Sequence, residues 1–305
     1  MFKALTPFRV KRAEPIPADE LGALFQALPF VPCGPTQAKS VGFVPPRGHE
    51  HGALIEVVGD AWIAKVVIEK RVVPGAVVKR RVDEMAAKIA DETGRKVGAK
   101  RRRELKEEAL LDLLPQAFTR QASAFVWLST GRGLMLIGST SNGVLDDVLS
   151  LVSKADSARL MIEPVITKKS PAAFMASLLL GGDDADESSF FPGREAVLVA
   201  PSLDGATVRF SKHSLAGESV REHLVGGKIV KSLALAHDSG ELGFTLDDSL
   251  RLKKIEIENS APLAGDKEVD PFDADVAIST GLLGPALDCL IVDLGGFADL
   301  GEVPK

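Results

Sequence analysis

The 305-residue sequence has no tyrosine, two tryptophans, two cysteines and no phosphate-cradling loop, and each shortage closes off a class of function. Proteins that hold single-stranded nucleic acid stack bases on exposed aromatic rings. Here aromatic residues make up only 5% of the chain, and Trp62 and Trp127 both fall in apolar, alternating segments predicted as buried strands. If nucleic acid is the target, the duplex backbone is the part this composition can address. Cys33 and Cys289 are far apart and form neither a CxxC pair nor a metal-ligand pattern, which reads as two buried thiols of a cytoplasmic protein. The GxxxxGK[ST] phosphate loop is missing. Gly226-Gly227-Lys228 lacks its spacing and Gly138-Ser139-Thr140 lacks its lysine, so an ATP-driven motor of that type is not expected. No apolar run reaches the roughly 18 to 20 residues of a membrane span, so no membrane partner is expected. The opening MFKALTPFRVKR places its basic residues after a short apolar start and has no apolar core of a secretory signal.

What is present reads as an α+β protein of mixed and antiparallel sheets. Leu21, Leu24, Phe25 and Leu28 recur at helical spacing over residues 18–28. The stretch FVPCGPTQAKSVGFVPP, rich in Pro and Gly, reads as irregular. β-Branched runs on either side of Gly59-Asp60 predict a hairpin. From Val78 an apolar stripe through Val82, Met85 and Ile89 predicts a helix. Gly94 and Gly98 interrupt it, and a second stripe runs from Leu105 to Leu114. Residues 76–117 thus form an αα-hairpin, an arm. Regions 118–180 and 190–305 read as two α+β parts of the body. The segments SAFVWLS and LMLIG read as strands joined by Thr130-Gly131-Arg132-Gly133, and residues 143–153 as a helix. Residues 160–166 read as a strand. Ser170-Pro171 offers an N-cap and a first-turn proline for AAFMASLLL. Five strands are expected between residues 196 and 258, with a helix at SVREHLV, and a last helix near LLGPALDCLIVDL. There is no internal repeat.

The charge is unevenly placed. Formal net charge is -5, yet between residues 95 and 106 Arg95, Lys96, Lys100, Arg101, Arg102, Arg103 and Lys106 face Glu104 alone, a net of +6. Residues 79–92 are balanced, with Arg80–Glu84 and Lys88–Glu92 spaced to pair along one helix. A helix N-terminus favours acidic residues, so four consecutive cations at the start of the second arm helix oppose its dipole. A local rule broken without visible compensation points to function. Cations that neutralise phosphates and release counterions bind nucleic acid whatever its base sequence. A solubilising face remains the alternative.

Signs of catalysis are weak. His49-Glu50-His51 offers two metal ligands without a convincing third. Asp273 and Asp275, in PFDAD, are the carboxylates a metal-dependent nuclease would use, although an acidic turn before a strand is far commoner and no matching Glu-x-Lys cluster stands out. The segment GGDDADESS reads as a solvated loop. No cofactor and no catalytic residue are expected. Three functions stay open: a duplex-DNA binder, a nuclease using Asp273 and Asp275, and a scaffold whose basic arm docks an acidic protein.

Several segments together resemble the RdgC family of bacterial recombination-associated proteins. They are Phe30-Val31-Pro32-Cys33-Gly34, Gly42-Phe43-Val44-Pro45-Pro46, the run from Leu113 to Arg120, the run from Gly227 to Leu235, and Phe272-Asp273-Ala274-Asp275. Their order spans nearly the whole chain. The resemblance implies a non-enzymatic, nucleoid-associated cytoplasmic protein. Two copies would close a positively lined ring around double-stranded DNA, limiting access of RecA and so modulating recombination and replication. It implies that the arm is the family's finger region and that Phe118 helps close the dimer. Lys212 matches a lysine on the family's DNA-facing surface, with His213 in place of the usual glutamine. Arg209, Lys228 and Lys231 are further candidates to face DNA. Gln116 stands where the family more often has Arg or Lys, and His237 where it has an aromatic residue.

Overall fold

The first strand, which begins at Ala4, joins the two halves of the molecule. The computed structural model describes residues 1–12, 16–156, 160–181, 185, 187–202, 205–258 and 270–298. Among these, twelve strands form one antiparallel sheet. They are β1 (Ala4–Arg12), β2 (Lys39–Val44), β3 (Ile55–Val58), β4 (Ala61–Val72), β5 (Phe118–Ser129), β6 (Leu134–Ile137), β7 (Leu160–Pro164), β8 (Phe190–Val199), β9 (Thr207–Phe210), β10 (Ile229–His237), β11 (Leu242–Asp247) and β12 (Leu252–Ile257). Their order is β2-β4-β5-β6-β1-β12-β11-β10-β8-β9, with β3 also on β4 and β7 also on β1. The helices are α1 (Ala18–Gln26), α2 (Gly75–Thr93), α3 (Ala99–Leu113), α4 (Asn142–Ala155), α5 (Pro171–Leu180), α6 (Glu218–Val225) and α7 (Pro271–Asp293). The α+β class holds.

β1 is the element the sequence hides. Its first residues, Ala4 and Leu5, pair with β12, its middle with β6, and Phe8 to Arg12 with β7. A proline inside a central strand normally argues against that assignment. Pro7 is tolerated because it sits between the β12 and β7 partners. The Val10 amide bonds Gly133 on the β6 side, so the odd-numbered position 7 faces the gap and loses no ladder bond. β2 is a second correction, since Lys39–Val44 is strand rather than irregular chain. Gly42 is required there: a Cβ would lie 2.3 Å from the Phe30 Cα.

Alternation along the central strands feeds two cores. Ala61, Ile63, Trp127, Leu134 and Leu136 face the core shared with α5, α7 and the β8–β12 half. Ala64, Val66, Ile68, Val126, Met135 and Ile137 face the core under α1 and α4. Trp127 is fully buried, Trp62 half-buried, Cys33 buried and Cys289 partly buried. Ser170 caps α5 as expected, accepting from the Ala173 amide at 3.2 Å.

The last helix is longer than its apolar end indicates. Asp270 caps α7, accepting from the Phe272 amide at 2.8 Å, so PFDAD is the first turn of a helix and not a turn before a strand. With a mean hydropathy of 1.5 in its apolar window, α7 is long and apolar enough to cross a membrane, contrary to expectation. Val276, Leu283, Leu287 and Leu290 of the same helix are buried in the core.

One buried charge ties α4 to the sheet. Lys39 and Lys70 are cross-strand partners on β2 and β4. Both reach Asp147, 7% exposed, Lys39 at hydrogen-bonding distance and Lys70 at 3.0 Å. Burial pushes the Asp147 carboxyl up, but the two ammonium groups outweigh it and hold it below the usual carboxylate range. Asp147→Asn is expected to lower stability by about 2 kcal/mol at neutral pH, less than for a fully buried pair because both lysines can turn to water. A depressed pKa stabilises above the unfolded value, about 3.9, and that contribution fades as pH falls through the folded one. Urea denaturation of the two proteins should therefore differ at pH 7 and converge below about pH 4.

Candidate nucleic-acid interface

Helices α2 and α3 bury Val78, Val82 and Ala86 against Leu105 and Ala109 in a small core of their own. Gly94, at φ +69°, ends α2, and the turn that follows carries Arg95 and Lys96, both exposed. α3 starts after Gly98 with no side-chain cap and no acidic residue in its first turn, where Lys100, Arg101 and Arg102 stand. The unfavourable placement read from the sequence is therefore real.

Part of that charge is nevertheless spent inside the hairpin. Arg101 pairs with Glu104 at 2.9 Å and Glu108 at 2.8 Å, and Arg102 reaches across to Asp83 of α2 at 3.1 Å. Arg81 of α2 reaches Asp112 of α3 at 3.0 Å. Arg80 and Glu84 pair as expected, at 3.7 Å, whereas Lys88 and Glu92 make no ion pair. α2 is thus not self-contained, since it lends Asp83 to α3. Arg95, Lys96, Lys100, Arg103 and Lys106 are exposed and make no ion pair among the described residues. They are the available cations of the turn and α3; Lys79 and Lys88 of α2 are exposed and without an ion pair among the described residues as well.

The base of the arm is fastened by one guanidinium. Arg71 of β4 donates to the Leu114 and Ala117 carbonyls at 3.1 and 2.9 Å and to the Gly34 and Cys33 carbonyls at 3.1 and 3.3 Å. Next to it, buried Glu69 accepts from Gln121 at 2.7 Å and from the Cys33 amide at 2.6 Å. These bonds hold its carboxyl below the usual range, Gln121 contributing most. Burial, then Glu69, pushes the Cys33 thiol up, so Cys33 is a structural residue and a poor nucleophile.

β5 carries the arm into the sheet and leaves an open edge. It pairs with β4 along its whole length, from Phe118 opposite Val72 to Ser129 opposite Ala61. On its other side β6 reaches only Val126 to Ser129, with one further bond from the Gly138 amide to the Phe125 carbonyl. Residues 118–124 therefore present unpaired backbone groups among the described residues. Phe118 is 88% exposed, and Val72 and Leu111 are exposed as well. Sheet edges are normally blunted by lysine, proline or a bulge. This one has Arg120 alone.

The remaining candidates lie in the other half. Arg209 is exposed on β9, at the end of the sheet away from the arm, and Lys212 is exposed just beyond it. Lys231 on β10 is tied to Asp248 at 2.5 Å, and half-buried Lys228 lies 3.3 Å from His223 Nδ1. Seven strand spacings separate β5 from β9, roughly 34 Å along the sheet. The structure thus places the basic residues in two groups rather than one.

The nuclease candidates do not converge. Asp273 binds Arg47 at 2.6 Å, and the same guanidinium holds Glu56 at 2.9 Å and Asp270 at 2.8 Å. Asp275 is exposed. Among the described residues no three His, Cys, Asp or Glu side chains come together to hold a metal, His49, Glu50 and His51 included. Most acidic positions of GGDDADESS lie outside the described residues.

Comparison with known proteins bears on all of these elements at once. A family model described as "Putative exonuclease, RdgC" matches residues 1–297. The chain is 31% identical over 301 residues to the recombination-associated protein RdgC of Pseudomonas fluorescens strain Pf0-1, covering 97% of each. It is 30% identical over 299 residues to that of Janthinobacterium sp. strain Marseille, covering 97% of this chain and 98% of the relative. The protein of the same name from Pseudomonas syringae pv. syringae is 31% identical, with 100% of this chain and 99% of the relative covered. Sheet, arm and α7 all fall inside these matches, and the chain belongs to the RdgC family of recombination-associated proteins.

Proposed function

We propose that this chain binds double-stranded DNA without sequence preference, as a homodimer closed into a ring around the duplex, and is not an enzyme. On the bacterial nucleoid it would limit access of RecA to DNA and so modulate recombination and replication. The observation that carries the reading is the set of five exposed cations at the arm's turn and on α3 without carboxylate partners among the described residues, in a chain of net charge -5. Positive side chains segregated from an acidic body attract a polyanion and orient it. The open edge at residues 118–124 and exposed Phe118 support self-association, since an unpaired strand is a template for another. A ring holds DNA by topology, so modest contacts per subunit suffice.

Fluorescence anisotropy with random-sequence duplexes between about 50 and 200 mM salt tests this. About five phosphate contacts give a log–log slope near -4.5, a fall of about 500-fold over that range. Equal binding to unrelated sequences is expected; no binding at the lowest salt would leave the scaffold reading in its place.

The family description favours one competing reading, an exonuclease. Incubation of linear duplex and supercoiled plasmid with Mg²⁺ or Mn²⁺ separates the two. Intact DNA at high protein concentration is the expected result, and nucleotides released from linear ends would overturn the non-enzymatic assignment.

A further inference from the structure

Among the described residues three non-glycines hold positive φ: Lys212 at 54°, Leu250 at 57° and Lys254 at 49°. L-residues take this conformation only where the surroundings impose it, and such positions gather at functional sites. Leu250 has a structural reason, because it closes the turn before β12 with its side chain buried. The two lysines share a neighbour, the Glu195 carboxylate, whose charged form both favour.

Lys254 owes its conformation to a bulge. Gly243 pairs with Glu256 but Thr245 pairs with Lys253, so β12 carries one residue more than β11. In a regular strand Lys253 and Lys254 would point to opposite faces. The bulge turns both into one cavity of about 330 Å³, which Arg209 and the hydroxyl-bearing Ser211, Ser232 and Thr245 also line. Glu195 lies in the same cavity. Lys254 pairs with it at 2.5 Å, and Lys254, followed by Arg209 and Lys212, holds its carboxyl below the usual range. Lys253 is held by Asp247 at 2.7 Å. Three cations, Arg209, Lys253 and Lys254, thus line the cavity with Glu195 as its one carboxylate, and Asp247 holds Lys253 from outside the lining.

A carboxylate amid lysine, arginine and hydroxyl groups occupies the place a phosphate oxygen would take, since both anions use the same donors. We infer that this cavity is a phosphodiester subsite for the duplex, and that Glu195 is a built-in competitor that keeps its affinity low. An entering phosphate must displace Glu195 from Lys254, so one ion pair is exchanged for another with little net gain. Such a contact forms and releases readily, which suits a ring that holds DNA by topology through modest contacts. The inference rests on the duplex-binding reading proposed above, and adds Lys253, Lys254 and Glu195 to it.

Glu195→Gln tests it, because the amide keeps the shape and removes the competing charge. Glu195 is partly exposed, and the variant is expected to melt with the wild type. Its affinity for a random duplex should rise about three- to tenfold at moderate salt, and its salt slope should steepen by about one unit as a further phosphate engages. Adding Lys254→Gln should cancel the gain, whereas two independent effects would add. Unchanged or weaker binding by Glu195→Gln, alongside normal wild-type binding, overturns the subsite and leaves the duplex reading intact. Lys254→Gln alone should change affinity little, because Glu195 already occupies that lysine; a loss of equal size with and without Glu195 assigns the effect to overall charge, and that result, or a gain that survives Lys254→Gln, likewise overturns the subsite. Failure of the wild type to bind duplex at low salt overturns both readings.

Discussion

Replacing Lys100, Arg103 and Lys106 together by glutamine is expected to remove most of the salt dependence of duplex binding. All three are exposed on α3 and make no ion pair among the described residues, so nothing in the hairpin's own structure is lost with them. Each phosphate contact contributes about 0.9 to the log–log slope, so the slope should shrink by about 2.7. Between 50 and 200 mM salt, the variant's affinity should fall about 12-fold where the wild type's falls about 500-fold. The paired change Arg101→Gln with Arg102→Gln is the control. Those guanidiniums bind Glu104, Glu108 and Asp83, and exposed pairs of this kind contribute about 0.2 to 1 kcal/mol each. Their loss should lower the melting temperature slightly and move the slope much less. If the two variants shift the slope equally, the ion pairs do not decide which cations reach DNA. If neither shifts it, the arm is a solubilising face.

That contrast was only half legible in the sequence. The +6 cluster shows as a run of letters, and so does its conflict with the helix dipole. Which of its members remain available is a tertiary matter, because Arg102 finds Asp83 nineteen residues away on the other helix. The same division runs through the fold. Helices with periodic apolar stripes and local stops, such as α2 before Gly94 and α5 after Ser170, announce themselves because their determinants are neighbours in sequence. β1 does not, because its proline is tolerated only by a gap between two partners drawn from residues 160–164 and 252–257. The sequence shows only the apolar end of α7, because its acidic first turn reads as a turn before a strand and its anchors, Asp270 and Arg47, meet only in the folded chain. The Glu195 site was invisible for the same reason. A bulge is a mismatch between two strands, and neither strand records it alone. The resemblance to a family, spread over the whole length, reached the identity that no single motif carried.

The second large effect is expected at the open edge of β5. Phe118→Asp puts a charge in place of an 88% exposed phenylalanine opposite Val72, and should convert the proposed dimer into monomer, with sedimentation as the measurement. A side-chain change alone does not say whether the edge itself takes part, and Ser123→Pro separates the two. The Phe125 carbonyl accepts from Gly138 on the β6 side, so residues 119, 121 and 123 direct their amides toward the unpaired edge, and even-numbered residues face β4. Proline at position 123 removes one outward donor and leaves the β4 ladder whole, a substitution edge strands accept. If a second copy pairs along this edge, Ser123→Pro should dissociate the dimer at unchanged melting temperature. If only the apolar patch matters, Phe118→Asp will dissociate it and Ser123→Pro will not. The proposed ring makes a further demand on the same proteins. Wild type should leave closed circular DNA much more slowly than linear DNA of equal length when salt is raised, because release from a circle requires the interface to open. Phe118→Asp should abolish that difference while sparing the salt slope per subunit, which belongs to the arm. A protein that leaves both forms of DNA at the same rate, yet remains a dimer, is a binder without a closed ring.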